Sequence, residues 1–113
     1  MTSTSYDNIT IGGGLGGATL AKVMAERGAR VLVLESETNF KDRVRGEAMV
    51  SWGLPEIQEL GTYEIMKAAG GRDVEWLEVA VAGSEPERRH LRTTTDSGTP
   101  RFIFNHPDIQ EAL

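Results

Sequence analysis

The stretch Asn8-Ile9-Thr10-Ile11-Gly12-Gly13-Gly14-Leu15-Gly16-Gly17 decides how this chain folds. Asn8–Ile11 is a short, apolar-leaning strand that runs straight into the glycines. Gly12, Gly14 and Gly17 make the spacing G-x-G-x-x-G, and each has a physical reason to lack a side chain. Gly12 allows the tight turn out of the strand. Gly14 leaves room for a diphosphate to approach the backbone. Gly17 lets the following helix lie close to the strand, and Ala21 one turn later keeps that contact small. The helix is expected over Ala18–Arg27, with Leu20, Val23 and Met24 at helical spacing. Gly28 stops it, as a residue just past a helix C-cap does. Arg30–Leu34 (RVLVL) is a continuous apolar run, the pattern of a parallel strand buried on both faces. Strand, helix and parallel strand make a right-handed βαβ unit.

That unit has a chemical use. The first N–H groups of a helix have no intrahelical acceptor, and the helix dipole adds positive potential there. Gly12, Gly14, Leu15, Gly16 and Gly17 therefore form a ready anion site. Glu35 closes the second strand at roughly the 20-residue distance where a carboxylate accepts hydrogen bonds from a ribose. A glutamate there also disfavours a 2′-phosphate. A lone G-x-G-x-x-G is a weak signal. Here it follows a strand, opens an amphipathic helix and precedes a buried strand ending in Glu. The class is α/β, a Rossmann-type dinucleotide-binding fold. The competing reading is a glycine-rich turn in another α/β protein, with Glu35 only solvating a strand end. The motif does not separate NAD from FAD.

Composition narrows the alternatives. At 113 residues the chain is one small domain with a modest core. A net charge of −5 argues against nucleic acid as partner. The cluster Arg88, Arg89, Arg92 sits beside Glu85 and Glu87 and reads as an exposed strand face. No apolar run is long enough for a membrane span, and the polar start Met1–Asp7 lacks the pattern of a secretory signal. Without cysteine there is no disulfide framework and no thiolate chemistry. A cytoplasmic location is expected. His90 and His106 are isolated and make no metal constellation.

Downstream, Ser36–Arg45 reads as a polar loop with a short helix. Pro55–Leu60 and Tyr63–Ala69 read as helices broken at Gly61. Val74–Ala82 alternates as a strand, His90–Thr95 is a second, and Arg101–Phe104 a third after the turn Asp96-Ser97-Gly98. Together these three predict a small antiparallel β-meander. Asn105 or His106 caps a last helix with Pro107 and Asp108 in its first turn. Only two parallel strands are visible and the last helix stops on an apolar residue, so the fold is expected to be incomplete.

Asp7–Glu35 at the head of the chain, Asp42-Arg43-Val44-Arg45-Gly46-Glu47, Trp52-Gly53-Leu54 and Phe104–Leu113 (FNHPDIQEAL) together resemble flavin-dependent monooxygenases similar to p-hydroxybenzoate hydroxylase. The resemblance implies a partial FAD-binding domain over 1–113. Residues 1–35 would be the βαβ unit, 36–72 loop and helices, and 73–113 the start of a substrate-covering sheet and a returning helix. FAD is the implied cofactor, with NAD(P)H as reductant and an organic small molecule as substrate in full-length relatives. Arg45 is the first candidate for the pyrophosphate or ribityl edge and Arg43 the second, since a guanidinium forks onto phosphate. The competing reading is that both are solvated loop cations paired with Asp42 or Glu47. Glu47 either bonds near the flavin or holds its own loop. Trp52 either walls a cavity or simply packs. His106 stands where the family carries an arginine or glutamine toward the ribityl chain, and as a histidine it departs from that pattern; the alternative is a helix cap. The family's later Gly-Asp motif is absent, so this chain is expected to lack turnover by itself. A halogenase, a nicotinamide dehydrogenase, or a truncated binding module completed by a second polypeptide or by self-association are the other readings.

Overall fold

In the computed structural model, which describes residues 4–43 and 47–113, the glycine-rich turn joins β1 (Asn8–Ile11) to α1 (Leu15–Glu26), and α1 leads into β2 (Val31–Leu34). The two strands pair in parallel, Asn8 opposite Val31 through Ile11 opposite Leu34. Side chains alternate across a strand, so Thr10 faces α1 while Ile9 and Ile11 face away. Contact is close on the α1 side, where a Cβ at Gly17 would stand 3.1 Å from Thr10 Cγ2. The helix ends as its sequence predicts. Gly28, at φ +88°, donates to the Ala25 carbonyl at 2.9 Å, and Ala29 reaches back to Met24 at 3.1 Å. These two bonds make a Schellman motif.

β2 was expected to be buried on both faces, and this is corrected. Ile11 is 86 % exposed and Leu34, beside it in register, 49 %. Helix α1 covers only one face, and no described element covers the other.

The core lies in the second half. β7 (Arg101–Ile103) is the centre of a three-stranded antiparallel sheet, flanked by β3 (Ala48–Met49) and β4 (Arg72–Val74). Phe102 on β7 packs with Phe104 just past it, with Leu54 and Ile57 of α2 (Gly53–Glu59), with Met66 of α3 (Tyr63–Ala68), and with Ile109 of α5 (His106–Ala112). Phe102 and Ile109 are fully buried, each contributing about 1.5–3 kcal/mol by leaving water. Gly61 separates α2 from α3 at φ +69°, a backbone state that side chains disfavour. Leu15, the first residue of α1, also packs against this core, so the glycine turn is tied to the rest of the molecule.

β5 (Trp76–Val79) and β6 (Glu87–His90) form a separate antiparallel pair. Arg88 lies over the Trp76 ring at 4.6 Å, and Arg88 and Arg89 are exposed as expected.

Several boundaries differ from expectation. The β-rich region is antiparallel, but not one meander: β7 pairs with β3 and β4, while β5 and β6 pair with each other. Val74–Ala82 is two strands in two sheets, divided at Glu75. That residue's carbonyl accepts the Leu91 N–H at 2.7 Å, and its carboxylate accepts from Arg92 Nε at 2.7 Å. His90–Thr95 is not a strand. His90 ends β6, and Leu91–Thr94 is a one-turn helix, α4. Thr93 and Thr94 hydroxyls bond the His90 carbonyl and Thr95 bonds that of Leu91, so the three hydroxyls turn back on the chain instead of facing a neighbouring strand. Residues 36–43 hold no helix.

Candidate functional site

Gly12 leaves β1 at φ +98°, and its N–H donates to the Leu34 carbonyl at 2.7 Å, carrying the parallel ladder one residue further. Gly14 is the N-cap of α1 in extended conformation. A Cβ at Gly14 would meet nothing within 4 Å, so the space above this residue is open. The first bond of the helix runs from the Ala18 N–H to the Gly14 carbonyl at 2.8 Å. The N–H groups of Leu15, Gly16 and Gly17 therefore have no intrahelical acceptor. Gly17 has a different job: its Cβ would overlap the Gly12 carbonyl oxygen. Gly12, Gly14, Leu15, Gly16 and Gly17 thus occupy the positions their spacing suggests.

Glu35 follows directly on β2. Its Oε2 accepts the Gly13 N–H at 2.7 Å, and its Oε1 accepts the Glu37 N–H at 2.9 Å. The Glu37 amide first, then that of Gly13, holds this carboxyl below its ordinary value of 4.5. The Ser36 hydroxyl also donates to Oε1, at 3.4 Å. Glu35 is thus ionised at neutral pH, and its Oε2, with one bond, keeps a free acceptor position.

Gly14 and Glu35 open onto one cleft of about 420 Å³, together with Glu37, Arg43, His106 and Gln110. That volume lies in the range of small-molecule sites. Arg43 Nη2 pairs with Glu37 at 2.8 Å, a partner not anticipated for it. Arg45 lies outside the described residues. His106 is the first residue of α5, and its Nδ1 is buried without a hydrogen-bond partner. Glu47 lines a different cavity with Arg72 and Phe104, where its carbonyl accepts the Phe104 N–H. Trp52 is 72 % exposed and so is not the packed residue its alternative reading described. Among the described residues no group of three acidic, histidine or cysteine side chains could hold a metal ion.

Several lining residues, Glu37 and Gln110 among them, are not legible in the sequence. The Gln110 Nε2 donates to the Gly13 carbonyl at 3.2 Å, across 97 positions of chain. No local pattern announces that contact, because α5 and the glycine turn meet only in the folded chain.

Residues 10–55 match the NAD(P)-binding Rossmann-like domain family. A squalene epoxidase of Candida albicans is 41 % identical over 61 residues, 54 % of this chain and 12 % of the epoxidase. A probable FAD-dependent monooxygenase of Pseudomonas aeruginosa superposes with a TM-score of 0.71 at 23 % identity, over 94 % of this chain and 28 % of that one. A myxobacterial FAD-dependent chondrochloren halogenase gives 0.69 at 28 % identity, over 94 % of this chain and 25 % of its own. The expected resemblance to flavin-dependent monooxygenases and the α/β Rossmann-type fold are thereby borne out. The chain spans about an eighth of the epoxidase it matches and between a quarter and a third of these two solved relatives.

Proposed function

We propose that this chain, a relative of the N-terminal part of FAD-dependent monooxygenases, binds the ADP moiety of FAD and serves as the FAD-binding portion of an oxidoreductase. One observation carries the reading: an open glycine N-cap with unsatisfied helix N–H groups, and an ionised strand-end carboxylate, face the same cleft. The Leu15, Gly16 and Gly17 N–H groups would hold the diphosphate, which the space above Gly14 admits. Glu35 would accept a ribose hydroxyl on the free acceptor position of Oε2. A 2′-phosphate would meet the same charge, so FAD or NAD is favoured over NADP at this site. His106 would meet the ligand beyond the diphosphate, where its orphaned Nδ1 gains a partner. Arg43 would have to exchange Glu37 for phosphate to contribute, and Arg45 remains a candidate on sequence grounds.

Bound flavin supplies hydride acceptance from NAD(P)H and, in monooxygenases, the activation of dioxygen; the chain's own part is to bind and orient it. Substrate oxygenation belongs to residues beyond those matched here, and in this reading the isolated chain does not turn over. The domain division 1–35, 36–72 and 73–113 follows the same proposal, as does a cytoplasmic location; no described helix is long and apolar enough to cross a membrane. The open face of Ile9, Ile11 and Leu34 would be covered by further polypeptide or by a second copy. The halogenase relative favours a second reading, in which the same cradle serves halogenation; fold does not choose between the two.

The test is calorimetric titration of the chain with ADP, FAD and NADP. ADP and FAD are expected to bind, NADP more weakly, and Glu35→Ala to lose affinity for ADP and FAD while narrowing their advantage over NADP. Binding of none of them by the wild-type chain sinks the reading.

A further inference from the structure

The glycine turn is held by two side chains, not one. Glu35 takes the Gly13 N–H at 2.7 Å, which fixes the peptide plane between Gly12 and Gly13. Gln110 donates to the Gly13 carbonyl at 3.2 Å, which fixes the next plane, between Gly13 and Gly14. Peptides here are trans, since no cis bond occurs among the described residues, so a carbonyl and the N–H that follows it point in opposite directions. A donor on the Gly13 carbonyl therefore aims the Gly14 N–H the other way. Glycines resist rotation least of all residues, so Gly13-Gly14 has no side chain of its own to hold that plane. Gln110 can, because α5 is anchored by the fully buried Ile109 and packs against α1 near its start.

We infer that Gln110 is a positioning residue: its carboxamide sets the Gly13–Gly14 peptide so that the Gly14 N–H stands ready for the diphosphate. The inference rests on the ADP-binding reading above for its consequence, though not for its geometry. It also gives α5 a reason to lie where it does, since the same short helix brings His106 to the cleft and Gln110 to the turn.

The variant Gln110→Met keeps length and helix propensity and removes the donor. Its Gly14 amide resonance is expected to broaden in the free chain and to exchange faster with solvent. Gln110→Lys, whose ammonium can reach the same carbonyl, should restore it. ADP affinity of the Met variant should fall about three- to tenfold, the size of one lost hydrogen bond, while adenosine, which lacks the diphosphate, binds unchanged. Should Gln110→Met fail to fold, Gln110→Glu has the same shape and no donor at neutral pH, and it carries the amide readout. An unchanged Gly14 amide overturns the inference, and so does equal loss of ADP and adenosine. If the wild-type chain binds neither ligand, the functional proposal falls while the amide signal still decides the role of Gln110.

Discussion

Gly17→Ala should destabilise this chain even though alanine is the better helix former. Gly17 lies in the first turn of α1 with ordinary helical backbone, so replacing glycine should gain about 1 kcal/mol of helix propensity. The added Cβ, however, would overlap the Gly12 carbonyl oxygen and crowd Thr10 Cγ2 at 3.1 Å. The first obstacle is backbone and cannot swing aside. Relief requires α1 to move off β1, and overpacking of this kind costs about 1–3 kcal/mol. Because the obstacle is rigid, the upper part of that range applies, leaving a net loss of about 1–2 kcal/mol. Gly16→Ala is the control, one residue away in the same helix, where a Cβ meets nothing within 4 Å; it should be neutral or stabilising. Urea unfolding followed by circular dichroism separates the two, with midpoints moving in opposite directions at constant slope. A Gly17→Ala chain as stable as Gly16→Ala would refute the claim that this glycine exists to let helix and strand touch.

Gly14→Ala should dissociate stability from binding. Its extended backbone accepts alanine and the site is open, so the urea midpoint should stay within about 0.5 kcal/mol of wild type, while ADP affinity drops at least about tenfold by steric exclusion. Ile109→Ala removes a fully buried side chain from the core and should cost about 2–5 kcal/mol, read as a lowered melting temperature. Acid should loosen the glycine turn. The folded pKa of Glu35 is depressed below 4.5, so its bond to Gly13 contributes fully above that value and is lost as pH falls through the folded pKa. The Gly13 amide shift should follow that titration, and Glu35→Gln should abolish it.

The part of the fold legible in the sequence is the part written locally. The expected strand Asn8–Ile11 is the observed one, the expected helix Ala18–Arg27 lacks the first three residues of α1 and overruns its end by one, and the Gly28 stop is the one observed. These follow from periodicity and from backbone demands that only glycine meets. The pairing of the later strands is not local. β3 is two residues long and exists only because β7 lies beside it, so no pattern in Ala48-Met49 could reveal it. Thr93, Thr94 and Thr95 favour a strand by propensity, yet their hydroxyls bond carbonyls three or four residues back and the chain turns helically over Leu91–Thr94. Of the candidate site, the glycines and Glu35 are legible because a tight turn, an open helix start and a strand-end position are demands met within a short stretch of chain. Arg43's pairing with Glu37 and Gln110's reach to Gly13 depend on how the chain closes on itself.

A structure of the chain soaked with ADP tests the account most directly. It should place the diphosphate oxygens within about 3 Å of the Gly14, Leu15, Gly16 or Gly17 amides, with an adenosine ribose hydroxyl on the Glu35 carboxylate. Diphosphate bound away from the start of α1, or a ribose that leaves Glu35 untouched, would contradict it.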